Sequence, residues 1–267
     1  MATYYRQIIT CHQLQVPMPI AFERWSCWAQ RVLPKDAMVA QEFAVINEHL
    51  AAVRAEIKRN GINDFLIVSS RLLAVDAMVE AWRQRLPHSW AFKSYRRLGS
   101  TSMAMYDAQC EIYPNLWLAV MWNNYRCVRL LIHESIASAA TLQTASIAAK
   151  KIMQTSTKTL MAMADGVCYS VPYHLGFRYA NELKEAAIEG NNERGTPGGY
   201  LLLWPLFLSG MLRTTPPRQR YWIASTLRQI GSQMGLKLAI YMAASLEEKI
   251  LSFSDEATWL IGEFYPR

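Results

Sequence analysis

The chain has no CxxC pair and no HExxH, and its five cysteines, at 11, 27, 110, 127 and 168, are spread so that no short spacing brings two thiolates to one metal. The five histidines, at 12, 49, 88, 133 and 174, form no close pair either. A locally encoded metal site is excluded, and the cysteines read as reduced, buried thiols behaving as small hydrophobes. There is no GxSxG elbow, which speaks against a serine hydrolase, and no lysine and hydroxyl after the glycines of GTPGGYLLL, which excludes a P-loop. No aspartate-rich DDxxD run is present, so a magnesium-dependent ionising cyclase is excluded as well. The longest apolar run of the second half, Tyr200 to Leu208, is interrupted by Pro205 and is about half of what a bilayer crossing needs. Met1 to Cys11 carries Arg6 and lacks the apolar core of a secretory signal. The expectation is an intracellular protein, nuclear or cytoplasmic, without membrane insertion.

Charge is also sparse. Only 18% of residues are charged, and the net +7 is spread over 28 Lys and Arg with no dense tract. Anionic partners are favoured by such a balance, but no basic arm or recognition helix for specific nucleic-acid binding stands out. What is abundant is apolar and aromatic: 52% hydrophobic residues, with 9 Trp, 13 Tyr and 13 Met. Such a chain can bury a substantial core.

Hydrophobic period places that core on helices. After prolines 17, 19 and 34, the spacing of Phe22, Trp25 and Trp28 suggests a short helix. Asp36 is expected to cap a run through Met38, Phe43, Ile46, Leu50, Val53 and Ile57 that ends at Asn60 and Gly61. Phe65 to Leu86 repeats the pattern until Pro87 stops it, so the two helices read as an antiparallel hairpin. Residues 88–113 are mixed, with helical tendency resuming at about Ser102. Pro114 suits a first helical turn leading toward Ile136, and an Ala-rich helix from about Ala145 reaches Cys168, where Val171 and Pro172 predict an extended segment. Glycines and asparagines make 181–199 the expected mobile loop. The most apolar helix follows it and belongs at the centre of the core. Pro216 and Pro217 open a helix over Tyr221 to Ile230, Gly231 and Gly235 punctuate the turn into Leu236 to Leu251, and a last short helix is expected over Asp255 to Ile261. No sustained period-two run of β-branched residues is present, so the predicted class is all-α, a single helical domain over 1–267 built of packed antiparallel helices.

Asn115, Leu116, Trp117, Ala119, Trp122, Asn123, Tyr125, Arg126 and Arg129 form a block that, with three others in order, resembles the helical regulatory region following the binuclear zinc cluster of fungal-specific transcription factors. The others hold Ala164, Asp165, Cys168, Ser170, Val171, Pro172, Tyr173, Leu175 and Gly176, then GYLLLWPL at 199–206, then Trp222, Ile223, Leu227, Ile230, Gly231, Met234, Gly235 and Ala239. About two thirds of the chain is covered, reaching back to Trp82, and no six-cysteine cluster precedes it. The resemblance implies the helical fold and a regulatory role sensing a small molecule or a protein, and it supplies no agreed catalytic residues.

A pocket is expected between the helix from Asn115, the segment Asp165 to Gly176 and the helix from Gly199. Trp122, Tyr125, Arg129, Asp165, Tyr200, Trp204 and Phe207 are its candidate ligand-binding residues. The candidate catalytic residues are Arg126, holding an anionic or carbonyl oxygen, and Tyr173 or His174, exchanging a proton. Structural alternatives stand beside two of these: Arg126 or Arg129 pairs with Asp165 to tie two helices, and His174 is a partly exposed loop histidine. Functionally, the first reading is a regulatory domain without its own DNA-binding module that binds a hydrophobic small molecule or a protein partner. The second is a cofactor-independent enzyme of fungal secondary metabolism that cyclises or isomerises a hydrophobic metabolite. The third is a partner subunit that dimerises through an apolar helical face. No cofactor or metal is expected in any of them.

Overall fold

Gly61 stops one long helix and Pro87 terminates the next, and the first stop works because Gly61 has a φ of 58° that a side chain would strain. In the computed structural model of the chain, residues 2–22, 24, 35–96, 105–140, 146–177 and 198–248 are described. Their helices are α1 (Ala2–Leu14), α2 (Lys35–Arg59), α3 (Phe65–Gln84), α4 (Leu116–Ala140), α5 (Ile147–His174), α6 (Gly198–Met211), α7 (Pro217–Met234) and α8 (Lys237–Glu247). Two four-residue strands, β1 (Lys93–Arg96) and β2 (Gln109–Ile112), pair antiparallel with Lys93 opposite Ile112. The class is all-α with one small hairpin. Among the described residues no helix is long and apolar enough to cross a membrane.

The chain divides into two compact units, Met1–Leu86 with Val128–Leu160, and Pro87–Cys127 with Met161–Arg267. In the first, α1 packs on α2 and α2 on α3. Asp64 caps α3 by accepting from the Ile67 amide at 2.9 Å, and Leu72, Val75, Val79 and Trp82 form its buried face. Trp82 seats its ring 4.5 Å from Phe43 and donates Nε1 to the Val39 carbonyl at 2.7 Å. A buried hydrophobic body with a satisfied polar tip fixes the pairing of α2 and α3. Arg129 ties α4 to α3 through Asp76 at 2.8 Å and Glu80 at 2.7 Å. Phe22 packs with Cys11, Met18 and Ala51, while Trp25, Trp28 and Cys27 lie outside the described residues.

In the second unit α6 is the centre, buried along its length except at Tyr200 and Leu201, and α7 and α8 pack on it. Small residues permit this approach: a Cβ on Gly199 would meet the Met234 sulfur at 2.7 Å, and one on Gly210 would meet Leu246 at 2.7 Å. The two prolines do open α7, but the helix runs on through Gly231 to Met234 and ends at Gly235, whose φ is 69°. Gly231 is too buried among Ile240 and Leu236 to act as a stop. Residues 178–197, which hold most of the expected loop, and 249–267, which hold the expected last helix, lie outside the described residues.

Three local expectations are corrected. Residues 105–112 are a bend, a 3₁₀ turn and a strand instead of resuming helix, because Asp107 and Ala108 take φ of 47° and 58°. Helix α4 is capped by Asn115, which accepts from the Leu118 amide at 2.9 Å, and Pro114 stands outside it. The third correction concerns Pro172, which lies inside α5. It removes one donor only two residues from the helix end, while Val171, Tyr173 and His174 become buried, and that burial outweighs the local cost. The end is then closed by the Phe177 amide donating to the Pro172 carbonyl at 3.1 Å, with Gly176 at a φ of 112°.

Candidate functional site

Glu111 and Tyr113 are two residues apart on extended chain, so their side chains leave the hairpin on the same side. Both meet Arg126, which α4 projects one turn after Asn123. Arg126 Nη2 donates to Glu111 Oε2 at 2.7 Å, and Nη1 donates to the Tyr113 hydroxyl at 2.8 Å and to Asn123 Oδ1 at 2.9 Å. The Tyr113 hydroxyl in turn donates to Glu111. Asn123 Nδ2 donates to Ser170 Oγ at 2.9 Å, and Ser170 donates to the Val167 carbonyl, which extends the chain of bonds into α5. Beside the guanidinium lies the Phe92 ring at 5.4 Å, and Gly166 comes so close that a Cβ there would sit 2.6 Å from Nε.

Burial alone would lower the pKa of Arg126, but its interactions with Tyr113 and Glu111 outweigh that and raise it. Burial likewise pushes the Tyr113 hydroxyl well above its ordinary value. Around this ion pair the aromatics close in: Tyr173 meets Tyr113 edge-on at 5.4 Å, Trp122 meets Phe92 at 4.9 Å and Tyr125 at 5.6 Å. The Trp122 indole donates to the Trp90 carbonyl at 2.9 Å. Such a network, in which every named partner is a protein group, fixes the hairpin to α4 and α5.

The structure therefore brings Arg126, Tyr173, Trp122 and Tyr125 together, but around Glu111 and Tyr113, which the sequence did not single out. Their only sequence signal is a glutamate and a tyrosine in alternation after Cys110. The expected pairing of Arg126 or Arg129 with Asp165 is corrected: Glu111 takes the first arginine, and Asp76 with Glu80 takes the second. Asp165 instead accepts from Gln219 Nε2 at 2.9 Å. His174 is corrected as well, from a free loop residue to the buried last residue of a helix. Its Nδ1 meets the Ser170 carbonyl at 3.0 Å, and its own carbonyl lies against the Cα of Gly198, where no side chain fits. Trp204 and Phe207 are buried in α6 and Tyr200 is exposed.

A second polar group gathers near Asp165. Tyr106 and Tyr169 stack at 6.3 Å, Gln109 donates to the Tyr169 hydroxyl at 3.2 Å, and Gln219 bridges Asp165 to the Cys168 sulfur at 3.5 Å. Burial, then the neighbouring Asp107 charge, raises the Asp165 pKa against the Gln219 hydrogen bond that lowers it. Tyr106 is pushed up to about 12, first by burial. Arg218 pairs with Asp107 at 3.0 Å on the surface. Only Asp165 of this group was legible as a polar residue on an apolar helix face. Elsewhere, a cavity of about 50 Å³ lies between Pro217, Arg220, Tyr221, Ala224, Leu246 and Glu247. Its size suits ordered water, and none of the expected site residues lines it. Among the described residues no group of three or more His, Cys, Asp or Glu is placed to hold a metal ion.

No family model, no curated protein and no solved structure matches the chain.

Proposed function

We propose that the chain is a helical regulatory domain, of the kind that follows the zinc cluster in fungal transcription factors, and that it acts by binding a protein partner in the nucleus or cytoplasm. The observation that carries this reading is the outer face of α3, where Leu66, Ile67 and Met78 are 54%, 47% and 40% exposed. Large apolar side chains grouped on one uncharged helix face favour burial against another protein, at roughly 25 cal/mol per Å² covered. Supporting it, Arg126, Tyr173 and His174 are engaged in packing and internal hydrogen bonds, which suits a structural role better than turnover. Ile67→Glu keeps the core of α3 and spoils only that face. Transcript levels in strains carrying wild-type chain, Ile67→Glu or none test the proposal: the variant should match the strain without the chain. If it matches wild type, the face has no regulatory role.

One observation favours the second reading, a cofactor-independent enzyme acting on a hydrophobic metabolite. Asp165 is half-buried with a raised pKa beside two phenols, a setting that suits a carboxyl exchanging a proton with a substrate. Asp165→Asn would abolish product in parallel metabolite extracts on that reading, and unchanged extracts would remove it.

A further inference from the structure

We propose that α3 is the seam of a homodimer, packed antiparallel against the same helix of a second copy. The inference rests on the regulatory reading in taking this face as the working surface. At 100° per residue, Leu66, Ile67 and Met78 share a sector of about 120° with four small exposed residues, Ser70, Ala74, Ala77 and Ala81, and with exposed Gln84 at its C-terminal end. No charge falls in that sector. The helix's charged residues lie outside it and are engaged within the chain: Arg71 with Glu56 at 2.7 Å, Asp76 and Glu80 with Arg129, and Arg83 with Glu80 at 3.1 Å. The sector thus carries no charged side chain of α3, and its only polar members are Ser70 and Gln84.

Two features of the helix choose a second copy, and choose its direction. Large and small residues are interleaved along the face, with Leu66, Ile67 and Ser70 toward the N-terminal end and Ala77, Met78 and Ala81 toward the C-terminal end. An antiparallel copy, related by a two-fold axis near Ala74, lays Ile67 over the other copy's Ala81 and Met78 over its Ser70, and the small residues let the axes approach to about 8 Å. Charge is asymmetric along the helix. Exposed Asp64 stands before the first turn and exposed Arg85 after the last, with Arg85 at 3.3 Å from Glu42. Antiparallel packing sets each Asp64 near the second copy's Arg85 and opposes the helix dipoles favourably, whereas parallel packing sets like on like. The seam is one helix long, about 30 Å, so its area lies at the low end of specific interfaces and the dimer should be weak, with a Kd on the order of micromolar.

The test uses the full chain in sedimentation velocity from about 1 to about 200 µM, a range that brackets such a Kd. Wild type should shift from monomer to dimer, and Ile67→Glu, with an unchanged helical spectrum, should remain monomeric. Geometry is read by mild oxidation of single-cysteine additions on the exposed face. Ala74→Cys lies near the two-fold axis and should give a disulfide-linked dimer at least tenfold faster than Ala81→Cys, whose two copies are about 20 Å apart when antiparallel. A wild-type chain that stays monomeric across the range, or an Ala81→Cys variant that links as fast as Ala74→Cys, overturns the proposal. If the chain is monomeric yet Ile67→Glu alters transcripts, the dimer falls while the regulatory reading stands. A dimer with transcripts unmoved by Ile67→Glu keeps the seam and removes that reading.

Discussion

Arg126 and Arg54 are each only 3% exposed, yet the two regions solve the buried cation differently. Arg126 meets a carboxylate, and its pKa rises. Arg54 meets neutral oxygens: Nη1 donates to the His12 carbonyl at 2.6 Å and Nε to the Ser135 hydroxyl at 3.2 Å, and burial lowers its pKa to about 10. The carbonyl it takes belongs to the last turn of α1, where the helix dipole is negative, and Lys58 donates to the Leu14 carbonyl beside it at 3.3 Å. A helix end thus stands in for a counter-ion. The difference teaches what each arginine does. One clamps a hairpin to two helices by a charge pair, and the other caps a helix.

The comparison breaks most sharply at the ion pair. Arg126→Met should cost about 3–5 kcal/mol in urea unfolding, because it strands a buried carboxylate. Glu111→Leu together with Arg126→Met should recover most of that loss, since neither charge then remains. Arg54→Met should cost only about 1–2 kcal/mol, the lost hydrogen bonds being offset by relief of desolvation. Equal costs for the two arginine variants would mean that the counter-ion does not distinguish them.

A smaller effect sharpens the same contrast through pH. His12 is held near a pKa of about 3, first by burial and then by the Arg54 charge, with the Asn47 contact opposing. Because the folded value lies below the unfolded one of about 6.5, the unfolded chain binds more protons between them. Stability is full above that pH and declines below it, by roughly 2 kcal/mol at pH 5. His12→Gln should flatten the decline. Asp76 adds nothing in that window. Burial would raise its pKa, but His133 and Arg129 outweigh this and hold it below the ordinary value, so its contribution is lost only below about pH 4. A wild-type chain equally stable at pH 7 and pH 5 would contradict the buried neutral histidine.

What the sequence made legible follows from how local the cause is. The stops at Gly61 and Pro87 and the apolar run of α6 are properties of a few neighbouring residues, and each does its expected work. The Arg126 site was only half legible, because its anchor Glu111 sits on a four-residue strand too short for any period to reveal. Pro172 was misread for the opposite reason. Its local penalty is real, but the decision lay with the burial of Val171, Tyr173 and His174, which no window of sequence contains. The left-handed Asp107 and Ala108 carry no glycine to announce the turn.

The weakest expected effect tests whether burial, and not charge pairing itself, gives the Arg126 site its weight. Arg228 pairs with Glu247 in good geometry, with Nε at 2.8 Å from Oε1, and the hydrogen bond from Arg228 holds the Glu247 carboxyl below its ordinary pKa. Both side chains are more than a third exposed, so water and salt screen the attraction and the two long side chains lose rotamer freedom to make it. Glu247→Gln should therefore shift unfolding by about 0.5 kcal/mol or less, and by less still at high salt. The same single substitution at Glu111 keeps the shape of the side chain while removing the charge that balances a buried guanidinium. Its cost should exceed that of Glu247→Gln severalfold and be insensitive to salt. Similar costs at the two positions, falling together as salt rises, would show the Arg126 network to be open to solvent, and the contrast between the two buried arginines would then lose its physical basis.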